Sequence, residues 1–154
     1  MTTLAVGLDI VTTTTFADQL ADRASGFVDA TFTAGEQRAA RAPEAIRVQR
    51  LAARYAAKEA FVKAWSGARA GRPPTLETVD LREIEVVDDG HGRPALRLHG
   101  AVAASLERLA AELGIAGPPR THLSLSHDPP TAAAVVVLSV GPSATLRSAA
   151  PGPG

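Results

Sequence analysis

The sequence predicts an α+β fold in which a mainly antiparallel sheet wraps around one long helix. One long segment with helical periodicity, from Pro43 to about Ser66, lies in the middle of the chain. Strand-like segments flank it, and tight turns join the last of them, which is typical of antiparallel pairing. The 154 residues, 45% of them hydrophobic, suffice for one domain with its own core.

The first part of the chain contributes one strand and short helices. Leu4 to Val11 is predicted to be a strand that is buried on both faces, except for one carboxylate. Phe16 to Arg23 is predicted to be a short helix. Thr33 and Glu36 have the spacing of a capping box, so another short helix begins there. Pro43 suits the first turn of the long helix, because proline there sacrifices no hydrogen bond.

The second part contributes two hairpins separated by a helix. Leu81 to Asp88 and Pro94 to Leu98 are predicted to pair across a glycine-containing turn. An amphipathic helix follows and ends at Gly114. His122 to Asp128 and Ala132 to Val140 are predicted to form the second hairpin. The predicted domain therefore spans residues 1–140.

Composition excludes several classes of function. Residues 141–154 are rich in Gly, Pro, Ser and Ala and are predicted to be a disordered tail. The absence of cysteine excludes disulfides, thiolate nucleophiles and cysteine-based zinc sites. A net charge of zero argues against nucleic acid or an anionic membrane as a partner. No signal peptide and no membrane-spanning segment is recognisable, so a cytoplasmic protein is expected.

Two carboxylates stand in surroundings that do not suit an unpaired charge. Asp9 interrupts an apolar strand, and Glu59 lies among alanines of the long helix. Together they predict a shared Mg²⁺, which takes one or two carboxylates and completes its shell with water and phosphates. Arg54, Lys58 and Lys63 add cations suited to phosphate oxygens. The alternatives are a surface Glu59–Lys63 pair, a capping role for Asp9 and a solvated basic face for Arg54.

The segment before the last turn alternates strictly. His122, Ser124 and Ser126 share one face of the predicted strand, and His127 lies on the other face, at the strand end near a cleft. The serines and His122 are therefore available to hydrogen-bond a ligand. A serine hydrolase is discounted, because no Gly-x-Ser-x-Gly elbow is present.

These motifs, in this order, resemble the 4′-phosphopantetheinyl transferase superfamily, in its short holo-acyl-carrier-protein synthase type. The similarity extends over roughly Leu4 to Val140. The motifs that carry it are Gly7-Leu8-Asp9-Ile10, Phe32-Thr33 with Glu36, Ala57-Lys58-Glu59-Ala60-Phe61-x-Lys63-Ala64, Ile84-Glu85-Val86, Gly92-Arg93-Pro94 and His122-x-Ser124-x-Ser126-His127.

The resemblance implies transfer of 4′-phosphopantetheine from coenzyme A to a serine of an apo acyl carrier protein, with release of 3′,5′-ADP. It implies a cytoplasmic homotrimer with active sites between subunits, and a role in fatty acid biosynthesis and lipid metabolism. Mg²⁺ would be held by Asp9 and Glu59. The catalytic residues would be Glu59, Asp9, Lys63 and His122. The coenzyme-binding residues would be Arg54, Lys58, Lys63, Arg93, Pro94, Ser124, Ser126 and His127.

One departure from the family keeps rival hypotheses open. The first helix offers Thr14, Thr15, Asp18 and Asp22 where relatives often carry basic residues that dock an acidic carrier. The alternatives are therefore a non-catalytic coenzyme-binding module, a subunit of a larger synthase, or a purely structural trimeric domain. Carriers of fatty-acid, polyketide and peptide synthesis all remain open as partners.

Overall fold

The computed structural model describes residues 1–142, so the predicted tail lies outside the described residues except for Gly141 and Pro142. The elements are β1 (Thr3–Thr12), α1 (Thr13–Ala21), α2 (Phe27–Thr31), α3 (Ala34–Ala39), α4 (Glu44–Ala68), β2 (Ile84–Asp88), β3 (Pro94–Leu98), α5 (Gly100–Leu113), β4 (Pro119–Asp128) and β5 (Thr131–Val140). The predicted α+β class is confirmed. No helix in residues 1–142 is long and apolar enough to cross a membrane.

The strands form two antiparallel sheets. One has the order β1–β5–β4, and the other is the β2–β3 hairpin. The long helix α4 packs against the inner face of the larger sheet, chiefly against β1 and β5, and also contacts β2. In the register of this sheet, Asp9 of β1 stands opposite Ala134 of β5. Because Ala134 is buried, Asp9 belongs to the inner face that looks onto α4.

Small residues set the distance between β1 and α4. The alanines of α4 that lie under β1 are fully buried. A Cβ atom added to Gly7 would lie 1.8 Å from the carbonyl oxygen of Ala60 and 2.7 Å from the amide nitrogen of Ala64. Only glycine at position 7 therefore permits this approach, and the approach brings the neighbouring Asp9 onto the helix.

The close contact gives a stability prediction. Gly7→Ala should lower the free energy of unfolding by about 3 kcal/mol, because backbone atoms of a packed helix cannot move aside. The matched control is Gly90→Ala, where an added Cβ meets nothing within 4 Å and φ is not positive. Urea unfolding of both variants measures the difference. Equal stabilities would contradict the proposed tight contact.

The expectation that β1 is buried on both faces is wrong for the isolated chain. Leu4, Val6, Leu8 and Ile10 are 67%, 64%, 51% and 63% exposed. The continuous apolar run is typical of a strand covered on both sides, but α4 covers only one side here. β1 is also an edge strand, since it pairs with β5 alone. We call the side of the larger sheet that carries these four residues the outer face.

Several local predictions are confirmed and others shift. Thr33 and Glu36 form the predicted capping box, and Gly114 adopts the left-handed conformation at the end of α5. The first helix starts earlier than predicted, at Thr13, and ends at Ala21. Residues Leu81–Glu83 form a 3₁₀ turn, so β2 begins only at Ile84. The side chain of Asp80 caps that turn, which removes these residues from the strand.

Candidate active site

The structure brings Asp9, Glu59 and Lys63 together beside the free edge of β1. Lys63 Nζ donates a hydrogen bond to Asp9 Oδ1 at 2.7 Å and another to the carbonyl oxygen of Leu8 at 3.0 Å. The pKa of the Glu59 carboxyl is raised, mainly by burial and also by the nearby negative charge of Asp9. The positive charge of Lys63 opposes that rise. The ion pair of Lys63 is thus with Asp9 across two elements, and the alternative of an isolated Glu59–Lys63 surface pair is wrong.

An open cleft of about 340 Å³ lies at this position. Asp9 and Glu59 line it together with Tyr55, Phe16 and the β1–α1 junction at Thr12. The pKa of the Tyr55 phenol is raised, mainly by burial and to a smaller extent by the negative charges of Glu59 and Asp9. The position of Tyr55 one helical turn before Glu59 is the sequence signal that places it at the cleft.

The two carboxylates fit Mg²⁺ better than a metal that is enclosed by protein. In residues 1–142 no group of three or more His, Cys, Asp or Glu side chains is placed to hold an ion. Mg²⁺ needs only one or two carboxylates, because water and substrate phosphates supply the other ligands. Lys63 offsets one of the two negative charges. The remaining charge, on a partly buried Glu59 with a raised pKa, favours a bound cation.

Lys58 does not face this cleft. The prediction that it contacts coenzyme phosphates is therefore wrong. Its side chain is 0% exposed. Nζ donates to Glu36 Oε2 at 2.9 Å, to the carbonyl oxygen of Leu81 at 2.8 Å and to that of Ile84 at 2.6 Å. All three ammonium protons are therefore in use. Burial lowers the pKa of Lys58, and Glu36 opposes this.

Arg54 lies on the same buried side of α4 as Lys58, and so the alternative of a solvated basic face is wrong for it. Its side chain is only 10% exposed, with Nη2 3.4 Å from Asp88 Oδ2. In the β2–β3 hairpin, Asp88 stands opposite Pro94. Arg54 and Pro94 therefore lie at the same end of the hairpin. Arg93, next to them, is exposed and pairs with Asp89.

The structure does not bring the β4 residues to the cleft within one chain. His122, Ser124 and Ser126 are exposed, and they stand opposite Val137, Val135 and Ala133 of β5. The same β5 residues stand opposite Val6, Leu8 and Ile10 of β1. The β4 side chains therefore lie on the outer face, whereas Asp9 lies on the inner face. His127 is exposed beside the β4–β5 turn.

Comparison with known proteins shows the family. Residues 5–124 match the family model described as the 4′-phosphopantetheinyl transferase superfamily. A holo-[acyl-carrier-protein] synthase of Nocardia farcinica is 44% identical over 138 residues, which is 90% of this chain and 88% of the relative. One of Mycobacterium tuberculosis is 44% identical over 135 residues, covering 88% of this chain and 95% of the relative. This chain belongs to the 4′-phosphopantetheinyl transferase superfamily, as its motifs predicted.

Solved structures agree with this family membership. The ACPS–CoA complex of Chronobacterium ammoniagenes is 42% identical, with a TM-score of 0.77 over 88% of this chain and 96% of that one. The acyl carrier protein synthase of Mycobacterium tuberculosis is 41% identical, with a TM-score of 0.62 over 87% of this chain and 95% of that one. The predicted fold family, an antiparallel sheet around one long helix, is confirmed.

Proposed function

We propose that this chain is a holo-[acyl-carrier-protein] synthase. It transfers 4′-phosphopantetheine from coenzyme A to a serine of an apo acyl carrier protein in the cytoplasm, with Mg²⁺, and releases 3′,5′-ADP. The observation that carries the proposal is that Asp9 and Glu59, from two elements, line one cleft, with Lys63 paired to Asp9. The relatives that are 44% identical, each named as this enzyme, support it.

The residues present suit a displacement at phosphorus. A bond forms between the carrier serine oxygen and the phosphorus of the phosphopantetheine group, and the bond from that phosphorus to the oxygen of 3′,5′-ADP breaks. Asp9 and Glu59 would hold Mg²⁺, which when bound neutralises the pyrophosphate and the charge on the leaving group. Lys63 places its ammonium beside Asp9, where it adds a charge-assisted hydrogen bond to the same phosphates.

The serine proton needs an acceptor, and Glu59 is our first candidate. Its raised pKa makes it a better base than an ordinary carboxylate, and it accepts the proton directly or through one water. His122 is the second candidate. Because His122 lies on the outer face, away from Asp9 of its own chain, it acts only if a second copy carries its β4 to this cleft.

The outer face supports the further proposal of a homotrimer with sites between subunits. Four large apolar side chains stand in a row on β1 at more than half exposure. A contiguous exposed patch of this kind marks an interface. His122, Ser124 and Ser126 adjoin it across β5. Covering the patch with another copy buries the apolar row and offers these polar side chains to a neighbour's coenzyme.

The assembly is tested by adding charge to the apolar row. Val6→Glu combined with Leu8→Glu should give a monomer and abolish transfer, since two buried, unpaired carboxylates oppose association. Ile46→Glu is the matched control, because Ile46 is equally apolar and 42% exposed but lies on α4. Light scattering should give three times the 15.9 kDa chain mass for the unaltered protein and this control. A monomeric unaltered protein with full activity would contradict the proposal.

Transfer itself is tested by intact mass. The chain is incubated with coenzyme A, Mg²⁺ and a panel of apo carriers of the fatty-acid, polyketide and peptide types. One carrier should gain the mass of a single phosphopantetheine group. The second candidate is a coenzyme-binding module without activity, which the lack of basic residues in the last turn of α1 favours. Coenzyme binding without any carrier gaining mass would support that candidate.

A further inference from the structure

Tyr55 stands at the candidate active site with a hydroxyl that the reaction described above does not use. Its ring packs against Phe16 of α1, with 5.5 Å between the ring centroids, and against Phe27 of α2 at 5.7 Å. Aromatic pairs at these separations favour particular angles between the rings, so the two contacts hold the Tyr55 ring in place. Tyr55 also lines the cleft together with Asp9 and Glu59. The hydroxyl is therefore carried by a fixed ring in the wall of this cleft.

The Tyr55 hydroxyl is a free donor. In the part of the chain that the structure describes, no hydrogen bond joins it to another residue, and it is not among the buried polar atoms that lack a partner. It is therefore open to solvent. The pKa of the phenol is raised, mainly by burial and also by the negative charges of Glu59 and Asp9. At neutral pH the hydroxyl thus keeps its proton and can donate it in a hydrogen bond.

The place of Tyr55 along α4 indicates which reactant it meets. Tyr55, Glu59 and Lys63 follow one another at intervals of four residues, so they lie along one side of the helix. Each interval spans about 6 Å of the helix axis. Lys63 pairs with Asp9 at one end of this row, where the coenzyme phosphates are proposed to bind. Tyr55 lies at the other end, beside α1, and this end is left for the carrier serine.

We propose that the Tyr55 hydroxyl donates a hydrogen bond to the hydroxyl oxygen of the carrier serine and aims this oxygen at phosphorus. The assignment rests on the proposed function. A serine hydroxyl has one proton and two lone pairs. Glu59 accepts the proton, Tyr55 donates to one lone pair, and the other lone pair forms the bond to phosphorus. Tyr55 keeps its own proton throughout. Holding the oxygen from two sides fixes its orientation before the reaction.

Tyr55→Phe separates this role from a structural one. The contacts with Phe16 and Phe27 are made by the ring and need no hydroxyl, so the urea midpoint of unfolding should not change. Coenzyme A should bind as to the unaltered protein in calorimetry with Mg²⁺, because its phosphates lie at the Lys63 end. The value of kcat/KM for the carrier should fall about tenfold, the effect of losing one hydrogen bond to the nucleophile.

The contact with the serine can be observed directly. Tyr55 is the one tyrosine among the 154 residues, so labelling with 3-fluorotyrosine places one fluorine atom in each chain, at this cleft. The labelled protein is mixed with 3′,5′-ADP, Mg²⁺ and the unlabelled apo carrier, a mixture in which no transfer takes place. The carrier should shift the fluorine resonance. The matched control is the same carrier with its serine replaced by alanine, which should shift the resonance clearly less.

Three results would overturn the assignment. One is an unchanged kcat/KM for the carrier in Tyr55→Phe. Another is the same fluorine spectrum with the serine carrier and the alanine carrier. The third is a loss of coenzyme A affinity in Tyr55→Phe as large as the loss of kcat/KM, which would place the hydroxyl at the coenzyme. Failure of the proposed function is distinct from these, because the unaltered protein then modifies no carrier, and the assignment falls with it.

Discussion

Replacing Glu59 by Gln or Asp9 by Asn should slow phosphopantetheine transfer about a thousandfold or more and leave the fold intact. Each amide keeps the volume of the acid and removes a negative charge that Mg²⁺ requires. In Glu59→Gln the loss also includes that of a general base, which alone is worth about 10²–10⁴-fold. The rate is measured as kcat/KM for the carrier, from the gain of carrier mass over time.

The controls separate a catalytic effect from a loss of structure. Glu107→Gln changes an exposed carboxylate of α5 and should leave transfer unchanged. Circular dichroism of the two site variants should match that of the unaltered protein. Near-normal transfer by either site variant would remove that carboxylate from the proposed metal site, whichever carrier is used.

Breaking the buried Lys58–Glu36 pair should have the second large effect, this time on stability. Lys58→Met leaves Glu36 and two carbonyl oxygens without their donor in a site closed to water. Removing one partner of a buried pair costs about 3–5 kcal/mol. Glu36→Gln should cost a similar amount, since Glu36 also accepts from the backbone N–H of Val86 and Thr33. Urea unfolding measures both variants.

The double variant identifies the interaction. Lys58→Met with Glu36→Gln should cost clearly less than the sum of the single changes, because no charge is then left buried alone. The surface pair of Arg47 and Glu44 is the control. Arg47→Met should change stability by less than about 1 kcal/mol. Strictly additive losses at Lys58 and Glu36 would show that the two side chains do not stabilise the fold as a pair.

The Lys58–Glu36 pair shows which contacts could be predicted from the sequence and which could not. The capping box of Thr33 and Glu36 was predictable, because it needs only residues three apart. The partner of Lys58 was not, because Glu36 lies on another helix, 22 positions away. Arg54, Lys58, Phe61 and Trp65 do recur at helical spacing, and that pattern places both cations on the buried side. Their charges instead suggested contact with phosphate oxygens.

The candidate site was predictable in part for a similar reason. A carboxylate within an apolar strand and another among alanines each indicate a partner, and the structure places Asp9 and Glu59 at one cleft. The apolar run of β1 predicts that both faces of the strand are buried, but it does not show whether the same chain or a second one buries the outer face. The exposure of that face in the single chain was therefore not predicted.

The most direct test of the central claim is the initial rate of 3′,5′-ADP release from coenzyme A in the presence of an apo carrier, measured with and without Mg²⁺. We expect release in step with carrier modification. We also expect loss of release in a chelator, recovery on adding Mg²⁺, and no recovery in the Glu59→Gln variant. Release that persists at full rate in the chelator, or in that variant with any carrier, would contradict a Mg²⁺-dependent transfer at Asp9 and Glu59.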